Sequence, residues 1–343
     1  MESAHARELE GKAFACLEGC GFCCTFQPEA SQRELALLRQ RLKPKALPIV
    51  VGEGRTYLGL QNKCGACTLL ERRACQAYDL RPQHCRYFPF HVHFGARPQV
   101  YVNMTCRGVT SAPGGDLRAA YEGAVVANAK PDEWARHERE ARETYATFER
   151  NARKADAWGD PGAVARAALA EPDVGTRAWM ERALARADEE ATPDELVADA
   201  LIPFSAPDVT KRPFYLAPDL RWLTFDTPRK LVEMDERGAL TFVRALPAVE
   251  GWQDLAMDLR PYLASLVERD VFAGSVYALV DEHDYATTVE EATWFRLAEI
   301  VADLNVRARV LASLGVAPDA LPDELVRFYD STFLDTPTIG GFL

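Results

Sequence analysis

The distribution of cysteine is the feature of this sequence that most constrains its fold. All nine cysteines lie between Cys16 and Cys106, and the rest of the 343-residue chain contains none. Structural thiols buried in a core would be scattered along the chain and would not stop at one position. An odd number would also leave one thiol over in a set of disulfides. The pattern predicts ligands for zinc or for an iron–sulfur cluster.

Composition and charge set limits on the rest. A net charge of −11 argues against a nucleic-acid partner, which needs a basic surface. No run of about 18 apolar residues is present, so we expect no membrane span. Residues 1–11 are polar and lack the apolar run of a signal peptide. We therefore expect a cytoplasmic protein, in which clustered thiols stay reduced and bind metals more often than they form disulfides. The sequence does not indicate an oligomeric state.

The cysteines are arranged in short turns that suit metal binding. Two intervening residues let both sulfurs of a Cys-x-x-Cys turn face one metal, as in Cys20 to Cys23 and in Cys64 to Cys67. Glycines next to or within these turns allow the backbone to fold tightly. Cys20, Cys23, Cys67, Cys75 and Cys85 are the ligands of first choice. The full set of candidate ligands is Cys16, Cys20, Cys23, Cys24, Cys64, Cys67, Cys75, Cys85 and Cys106.

The number of metal sites stays open at this stage. Nine thiols exceed the four that one tetrahedral zinc or one four-iron cluster uses. Either there are two sites, for example a cluster and a structural zinc, or one site is surrounded by spare cysteines. The side chains of Cys23 and Cys24 are adjacent and diverge, so they rarely ligate one ion together. They could serve two neighbouring metals, or one of them could belong to the core.

The residues around Cys85 predict a helix that favours its thiolate. Pro82 suits the first turn of a helix, with Asp79 upstream as its cap, and this places Cys85 near the positive end of the helix dipole. Arg81 and Arg86 could offset the negative charge of a metal held by four thiolates, or could form surface ion pairs.

Histidine is a secondary candidate for the metal site. His84, His91 and His93 could be ligands or outer hydrogen-bond donors, although nine cysteines make a histidine ligand unnecessary. The other histidines are expected to face solvent, and they are His5, His137 and His283.

Four motifs together resemble a known family. They are Cys20-Gly21-Phe22-Cys23-Cys24, Cys67-Thr68-Leu69-Leu70, Cys75-Gln76-Ala77-Tyr78 and Arg81-Pro82-Gln83-His84-Cys85-Arg86-Tyr87-Phe88-Pro89. Over residues 14–110 the chain is similar to the zinc- or iron-chelating cysteine-cluster family, the YkgJ-type proteins. The resemblance implies a metal-chelating module and leaves its reaction open. In layout, and in the additional Cys16 and Cys106, the chain also resembles the flagellin lysine N-methylase branch. That branch would imply an S-adenosylmethionine-dependent protein-lysine N-methyltransferase with an iron–sulfur cluster.

Catalysis is not predicted by any motif of this sequence. The spacing of Cys16, Cys20, Phe22 and Cys23 is that of a radical S-adenosylmethionine loop, but that fold needs a series of strand–helix units, and here more cysteines and then helices follow. A [4Fe–4S] cluster held by those three cysteines is a less demanding alternative. Glycine-rich nucleotide loops, serine elbows and His-Glu-x-x-His are absent, so no catalytic or cofactor-binding residue is assigned. Two functions remain: a metal module whose helical part binds a protein partner, or a methyltransferase that acts on a protein substrate.

The pattern of residues predicts an α+β fold that is mostly helical. We expect a small, irregular, metal-stapled domain at 10–110 and a larger helical domain at 116–343, with short antiparallel strands around 212–247. The turn residues at 111–116 mark the boundary. Helices are predicted at 31–42, 117–129, 132–156, 175–190, after Thr192, within 252–314 and at 324–329. Strands are predicted at 57–60, 222–225, 231–234 and 240–243, with a hairpin formed by 87–94 and 99–104.

Overall fold

Helices and small antiparallel sheets make up the chain. The computed structural model describes residues 7–42, 47–52, 54–111, 116–202, 213–226, 230–246, 259–333 and 337–342. Within these residues the fold is α+β and mainly helical, which confirms the predicted class. Every strand pairing described is antiparallel, so the parallel strand–helix series of the radical fold is not found in this part of the chain.

The first helix begins where the sequence predicts, because Ser31 caps it. In α1 (Gln32–Arg41) the Ser31 hydroxyl accepts the Glu34 N–H, and the Glu34 carboxylate accepts the Ser31 N–H at 2.8 Å. A hairpin follows, formed by β2 (Ile49–Gly52) and β3 (Arg55–Leu58). The strand predicted at 57–60 therefore lies two residues earlier. Pro48 has no N–H that could continue the ladder beyond Leu58.

Two further hairpins lie in the N-terminal segment, which is the part of the chain up to residue 111. β4 (Leu70–Glu71) pairs with β5 (Ala74–Cys75), and β6 (Phe90–Phe94) pairs with β7 (Pro98–Val102). The predicted hairpin around residue 96 is confirmed, but its first strand begins at Phe90 and not at residue 87. The intervening residues belong to the short helix α2 (Gln83–Tyr87) and to Pro89, which cannot donate to a ladder.

The N-terminal segment is closed by two long-range pairings. β1 (Lys12–Phe14) pairs with β8 (Val109–Ser111), which joins the two ends of the segment. β13 (Gly341–Phe342), near the C-terminus, pairs with β6 through Gly341 and Phe94. The sequence pattern did not indicate either pairing. The residues of the predicted boundary, 112–115, lie outside the described residues, and the division into two domains stays a prediction.

The part of the chain from residue 116 onward, here called the C-terminal half, consists of helices around one short sheet. Its first helices are α3 (Leu117–Ala124), α4 (Pro131–Lys154), α5 (Pro161–Leu169), α6 (Arg177–Arg186) and α7 (Pro193–Leu201). All were predicted except α5, although Asp160 caps it and Pro161 occupies its first turn. The sheet follows, with strands β9 (Tyr215–Leu216), β10 (Trp222–Asp226), β11 (Lys230–Met234) and β12 (Leu240–Ala245). They lie in the order β12-β11-β10-β9.

The largest core surrounds one long helix. After α8 (Arg260–Val267) and α9 (Asp270–Glu282), α10 (Val289–Ser313) packs against α5, α6, α7, α9 and α11 (Leu321–Phe333). Apolar residues lie on all sides of α10, as expected of a helix enclosed by others. The helices predicted within 252–314 and at 324–329 are confirmed, except that residues 252–258 lie outside the described residues. Among the described helices, none combines the length and the apolar character needed to cross a membrane.

A buried ion cluster joins the N-terminal segment to the C-terminal helices. Arg269, just before α9, forms ion pairs with Glu8 and with Asp330 of α11, each at 2.7 Å. The two carboxylates also accept main-chain N–H groups, from Val102 and Met104 respectively. The Arg269 side chain is 5% exposed and that of Asp330 is 1% exposed. The two halves therefore share a polar contact that is buried at Arg269 and Asp330 and partly exposed at Glu8.

Candidate metal centre

Three of the candidate ligands lie at one end of the β1–β8 ladder. The Ala15 N–H donates to the Gly108 carbonyl at 3.0 Å, so Cys16 and Cys106 follow and precede a paired position on opposite strands. Cys20 is reached through a turn in which its N–H donates to Leu17, with Gly19 at a φ of 72°. Cys16, Cys20 and Cys106 are named the ladder group. Burial raises the pKa of Cys106 to about 12, and the thiols of Cys20 and Cys16 add to the increase.

Four other candidates gather beside the β4–β5 hairpin. The Cys67 N–H donates to the Cys24 carbonyl at 2.7 Å, and Cys75 lies opposite Leu70 in the hairpin. Cys24, Cys67 and Cys75 pack against the same apolar cluster. Cys85, in α2, belongs with them because the thiol of Cys67 is close enough to raise its pKa, an effect second only to that of burial. Cys24, Cys67, Cys75 and Cys85 are named the hairpin group.

Cys23 lies between the two groups. It occupies the 3-10 helix Phe22–Thr25 next to Cys24, whose thiol donates a hydrogen bond to its sulfur. That bond lowers the pKa of Cys23 and raises the pKa of Cys24. Cys23 also raises the pKa of thiols in both groups, including Cys20 and Cys106 on one side and Cys67 and Cys85 on the other. The eight sulfurs therefore form one continuous electrostatic neighbourhood.

The donor chemistry of these thiols fits zinc or an iron–sulfur cluster. Burial raises the pKa of Cys67 to about 11 and that of Cys106 to about 12, so without a cation nearby these two thiols stay protonated at neutral pH. A soft cation would stabilise the thiolates and release their protons. Among the described residues, no three ligating side chains are arranged so that they could hold a metal ion. A bound metal would therefore have to draw the thiols together.

One arginine faces the hairpin group. Arg81 stacks on the Tyr78 ring with 3.5 Å between its guanidinium carbon and the ring centroid, and it favours the thiolate forms of Cys75 and Cys85. This agrees with the role predicted for Arg81. Arg86 instead forms an ion pair with Glu34 at 3.7 Å.

The predicted helix around Cys85 is present but short. Helix α2 has five residues, with Cys85 as its third, and Pro82 occupies the N-cap position without a side-chain cap. Asp79, the predicted cap, lies in the preceding 3-10 helix Tyr78–Leu80. The cap was placed wrongly because Arg81, which precedes Pro82, is extended and separates the earlier turn from α2.

Cys64 contacts the turn between β11 and β12. Its sulfur lies 3.5 Å from the carbonyl of Asn62 and packs against Gly238 of the turn between β11 and β12. No contact described for this residue joins it to another cysteine. Described contacts thus connect eight of the nine predicted ligands, and those described for Cys64 are with Asn62 and Gly238.

The three candidate histidines lie in α2 and β6. His91 and His93 share one face of β6, and burial lowers their pKa values to about 3 and about 4. Burial lowers the pKa of His84, and the charge of Glu29 opposes this shift. Of the three expected to face solvent, His137 packs on the Phe94 ring, His283 ends α9 and His5 lies outside the described residues.

Trp222 of the sheet and Arg73 of the β4–β5 turn hold the main chain at Cys20, and the sequence pattern did not indicate them. The indole N–H of Trp222 donates to the Cys20 carbonyl at 3.0 Å, and the Arg73 guanidinium donates to the same carbonyl at 3.2 Å. Arg73 also covers the Trp222 ring at 3.8 Å and forms an ion pair with Glu236 at 3.8 Å. Cys20 and Trp222 lie 202 residues apart, so no local pattern could reveal their contact.

Helix α11 holds the other side of the ladder group. Arg327 donates to the carbonyls of Cys106 and Val109, at 3.3 and 3.2 Å. Arg107, next to Cys106, forms a two-point ion pair with Glu324 that is nearly buried. Main-chain groups on both sides of the thiols are therefore fixed by side chains of the C-terminal half.

The fold and the thiol groups together define a cysteine-cluster segment within an α+β chain. More particularly, residues 15–107 match the family model CxxCxxCC, described as "Putative zinc- or iron-chelating domain". This match confirms the family resemblance drawn from the cysteine motifs for residues 15–107. No curated protein and no solved structure matches the chain. The comparisons give no support to the flagellin lysine N-methylase branch or to a methyltransferase activity.

Proposed function

We propose that this chain is a metal-chelating protein in which thiolate-bound zinc or an iron–sulfur cluster fastens the N-terminal segment to the C-terminal half. One observation carries the proposal: two of the thiols, those of Cys20 and Cys24, lie at an apolar contact between the two halves. Phe22, Ala66 and Leu70 pack there against Leu216 and Trp222, with Cys20 and Cys24 at the edge of this cluster. A contact filled with apolar side chains suits a structural metal better than a substrate cleft.

The size of the local elements explains why a metal would be needed. The β4–β5 hairpin has two residues in each strand, and the β2–β3 hairpin has four, which is too little for independent stability. The apolar clusters beneath them are small. Structural zinc supplies on the order of 10 kcal/mol to such domains, because the site exists only in the folded state.

The donor set narrows the identity of the metal. All eight clustered donors are thiols, and soft thiolates select zinc or iron–sulfur clusters over magnesium or calcium. Zinc and iron would supply the same fastening, whereas only a cluster would add the capacity to carry electrons.

Anaerobic purification of the full chain, followed by metal analysis and a visible absorption spectrum, tests the proposal. Colourless protein with zinc, or brown protein with iron and sulfide, supports it and identifies the metal. Metal-free protein in which all nine thiols react with an alkylating agent contradicts it.

Removing the metal tests its structural role. A chelator should lower the melting temperature and speed amide exchange in the β4–β5 hairpin and in the turn at 236–238, which holds the Ala66 N–H through the Glu236 carbonyl. Exchange in the centre of α10 serves as an internal control and should change least. Equal exchange in the hairpin with and without metal would contradict the fastening role.

A further inference from the structure

We propose that the outer edge of β2 is a docking site for an extended, acidic segment of a partner protein. The segment would add a strand beside β2, and basic residues of α1 would attract its carboxylates. The proposal goes beyond metal chelation, because no cysteine takes part in it.

The β2–β3 hairpin is already paired on the side of β3. Thr56 and Leu58 turn their main-chain groups away from β2, because the hairpin closes on a turn of two residues and hydrogen-bonded pairs alternate from there. The Ala30 N–H donates to the Thr56 carbonyl at 2.9 Å. The Leu58 N–H donates to the Pro28 carbonyl at the same distance. β3 is therefore an interior strand, and β2 lies at the outside.

The outer edge of β2 is unpaired among the residues that the structure describes. By the same alternation, the N–H and carbonyl groups of Ile49 and Val51 point outward. No described strand lies beyond β2, and no described hydrogen bond uses these groups. A row of unpaired donors and acceptors of this kind is a template for another strand.

β2 lacks the protection that edge strands usually carry. Natural edge strands are protected by charged side chains, by proline or by a bulge. The four residues of β2 are Ile49-Val50-Val51-Gly52, without charge or proline, and their register with β3 is regular. Val50 and Val51 are 48% and 74% exposed. The edge therefore offers apolar side chains as well as main-chain groups to a partner.

The segment around β2 is basic although the chain is acidic. Residues 32–58 contain six Lys or Arg and two Asp or Glu, whereas the whole chain has a net charge of −11. One of the two acids, Glu34, is committed to the cap of α1. Arg33, Arg39 and Arg41 of α1 are exposed, and none of them belongs to an ion pair among the described residues. The surface of α1 therefore carries positive charge that could bind an acidic partner.

Helix α1 holds this charge beside the hairpin. Leu35 of α1 and Leu58 of β3 share one apolar cluster, against which Ile49 packs. The Gln32 amide also donates to the Thr56 hydroxyl at 3.3 Å. Carboxylates on a strand added to β2 would therefore lie next to a positively charged helix.

These features favour an acidic peptide over the other possible occupants. The edge presents both N–H donors and carbonyl acceptors, which a peptide strand can pair. A phosphate group only accepts hydrogen bonds from this edge and would leave the carbonyls unpaired. Two copies joined through β2 would bring the two sets of arginines together, and like charges repel.

A synthetic peptide tests the proposal with the full-length protein as purified. The probe is a fluorescein-labelled peptide of four Val-Glu repeats, and its binding is measured by fluorescence anisotropy. We expect saturable binding that weakens as salt is added, together with slower amide exchange at Ile49 and Val51. A peptide of four Val-Lys repeats is the charge-reversed control and should not bind.

Val51→Pro blocks the edge while keeping the hairpin. The Val51 N–H points outward, so proline removes a donor of the edge and no hydrogen bond between β2 and β3. We expect the dissociation constant to rise about tenfold, which is the effect of losing one hydrogen bond. Circular dichroism should stay that of wild type.

Paired arginine variants test the charge. Arg33→Gln combined with Arg41→Gln should weaken binding and reduce its dependence on salt. Arg142→Gln combined with Arg153→Gln is the matched control, because both arginines are exposed on α4. The control should bind the Val-Glu peptide as wild type does.

Three results would overturn the proposal: no binding of the Val-Glu peptide, equal binding of the Val-Lys peptide, or wild-type affinity in Val51→Pro. Analytical ultracentrifugation and titration with phosphatidylserine vesicles or a DNA duplex test the other occupants. A dimer that Val51→Pro dissociates would assign the edge to a second copy. Binding of vesicles or DNA that Val51→Pro abolishes would assign it to a phosphate-bearing partner. Either assignment would replace the acidic peptide.

Discussion

Replacing Arg269 by methionine should remove the ion cluster that joins the N-terminal segment to α9 and α11. The guanidinium now bonds Glu8 and Asp330 at 2.7 Å each, and its side chain is 5% exposed. Methionine fills a similar length without a charge. Asp330, at 1% exposed, would keep only the Met104 N–H as a described partner. Breaking a buried pair in this way leaves a desolvated charge and costs about 3–5 kcal/mol.

Urea unfolding of the metal-loaded chain, followed by circular dichroism, measures that cost. Arg142→Met is the matched control, since Arg142 pairs with Glu138 at 2.6 Å on the exposed face of α4. An exposed pair of this kind contributes about 0.5 kcal/mol or less. If Arg269→Met lost no more stability than Arg142→Met, the argument that this cluster fastens the two halves would be refuted.

Three further substitutions test neighbouring contacts. Trp222→Phe should cost about 1 kcal/mol more than Trp134→Phe, because the indole of Trp222 donates a hydrogen bond, whereas the indole of Trp134 has no such partner among the described residues. Trp222→Phe should also speed the loss of metal to a chelator. Equal effects in the two variants would contradict this. Burial opposes ionisation of Glu324, but bonds from Arg107 and Tyr215 outweigh it and lower its pKa. The ionised Glu324 therefore contributes its full stabilisation above a pH of about 4.3, and this stabilisation is lost as the pH falls through the lower pKa of the folded state. The difference in melting temperature between wild type and Glu324→Gln should shrink on acidification. A constant difference would count against the ion pair of Glu324 with Arg107. Gly65→Ala places a Cβ against the main chain of Glu236, too close to its carbonyl oxygen for an ordinary contact, and should cost about 1–3 kcal/mol in thermal unfolding. Gly123→Ala, in open space on α3, should stabilise by up to about 1 kcal/mol, and a similar gain for both glycines would refute the close approach.

Local signals in the sequence predicted most of the regular elements. The capping pairs Ser31 with Glu34 and Thr192 with Glu195 fix the starts of α1 and α7 within four residues of chain. The alternation of apolar and polar residues around Trp222 predicted β10. The β13 strand has only two residues and pairs with Phe94 across most of the chain, so no local pattern could reveal it.

The cysteine cluster was predicted as a whole but not in its parts. Spacing identified the ligands and the conflict between Cys23 and Cys24. It could not show that Cys64 turns toward Gly238, because that position depends on a turn far along the chain. Nor could it show that Trp222 and Arg327 hold the main chain around Cys20 and Cys106. Such contacts are set by the packing of the two halves, which spacing alone does not describe.

The mass of the intact, folded chain, measured anaerobically under non-denaturing conditions as purified, tests the central claim most directly. We expect a mass above that of the 343-residue polypeptide, with an excess that matches zinc or iron–sulfur clusters after loss of the ligating thiol protons. Acid unfolding should release that excess. A folded chain at the bare polypeptide mass, with all nine thiols open to alkylation, would contradict the account.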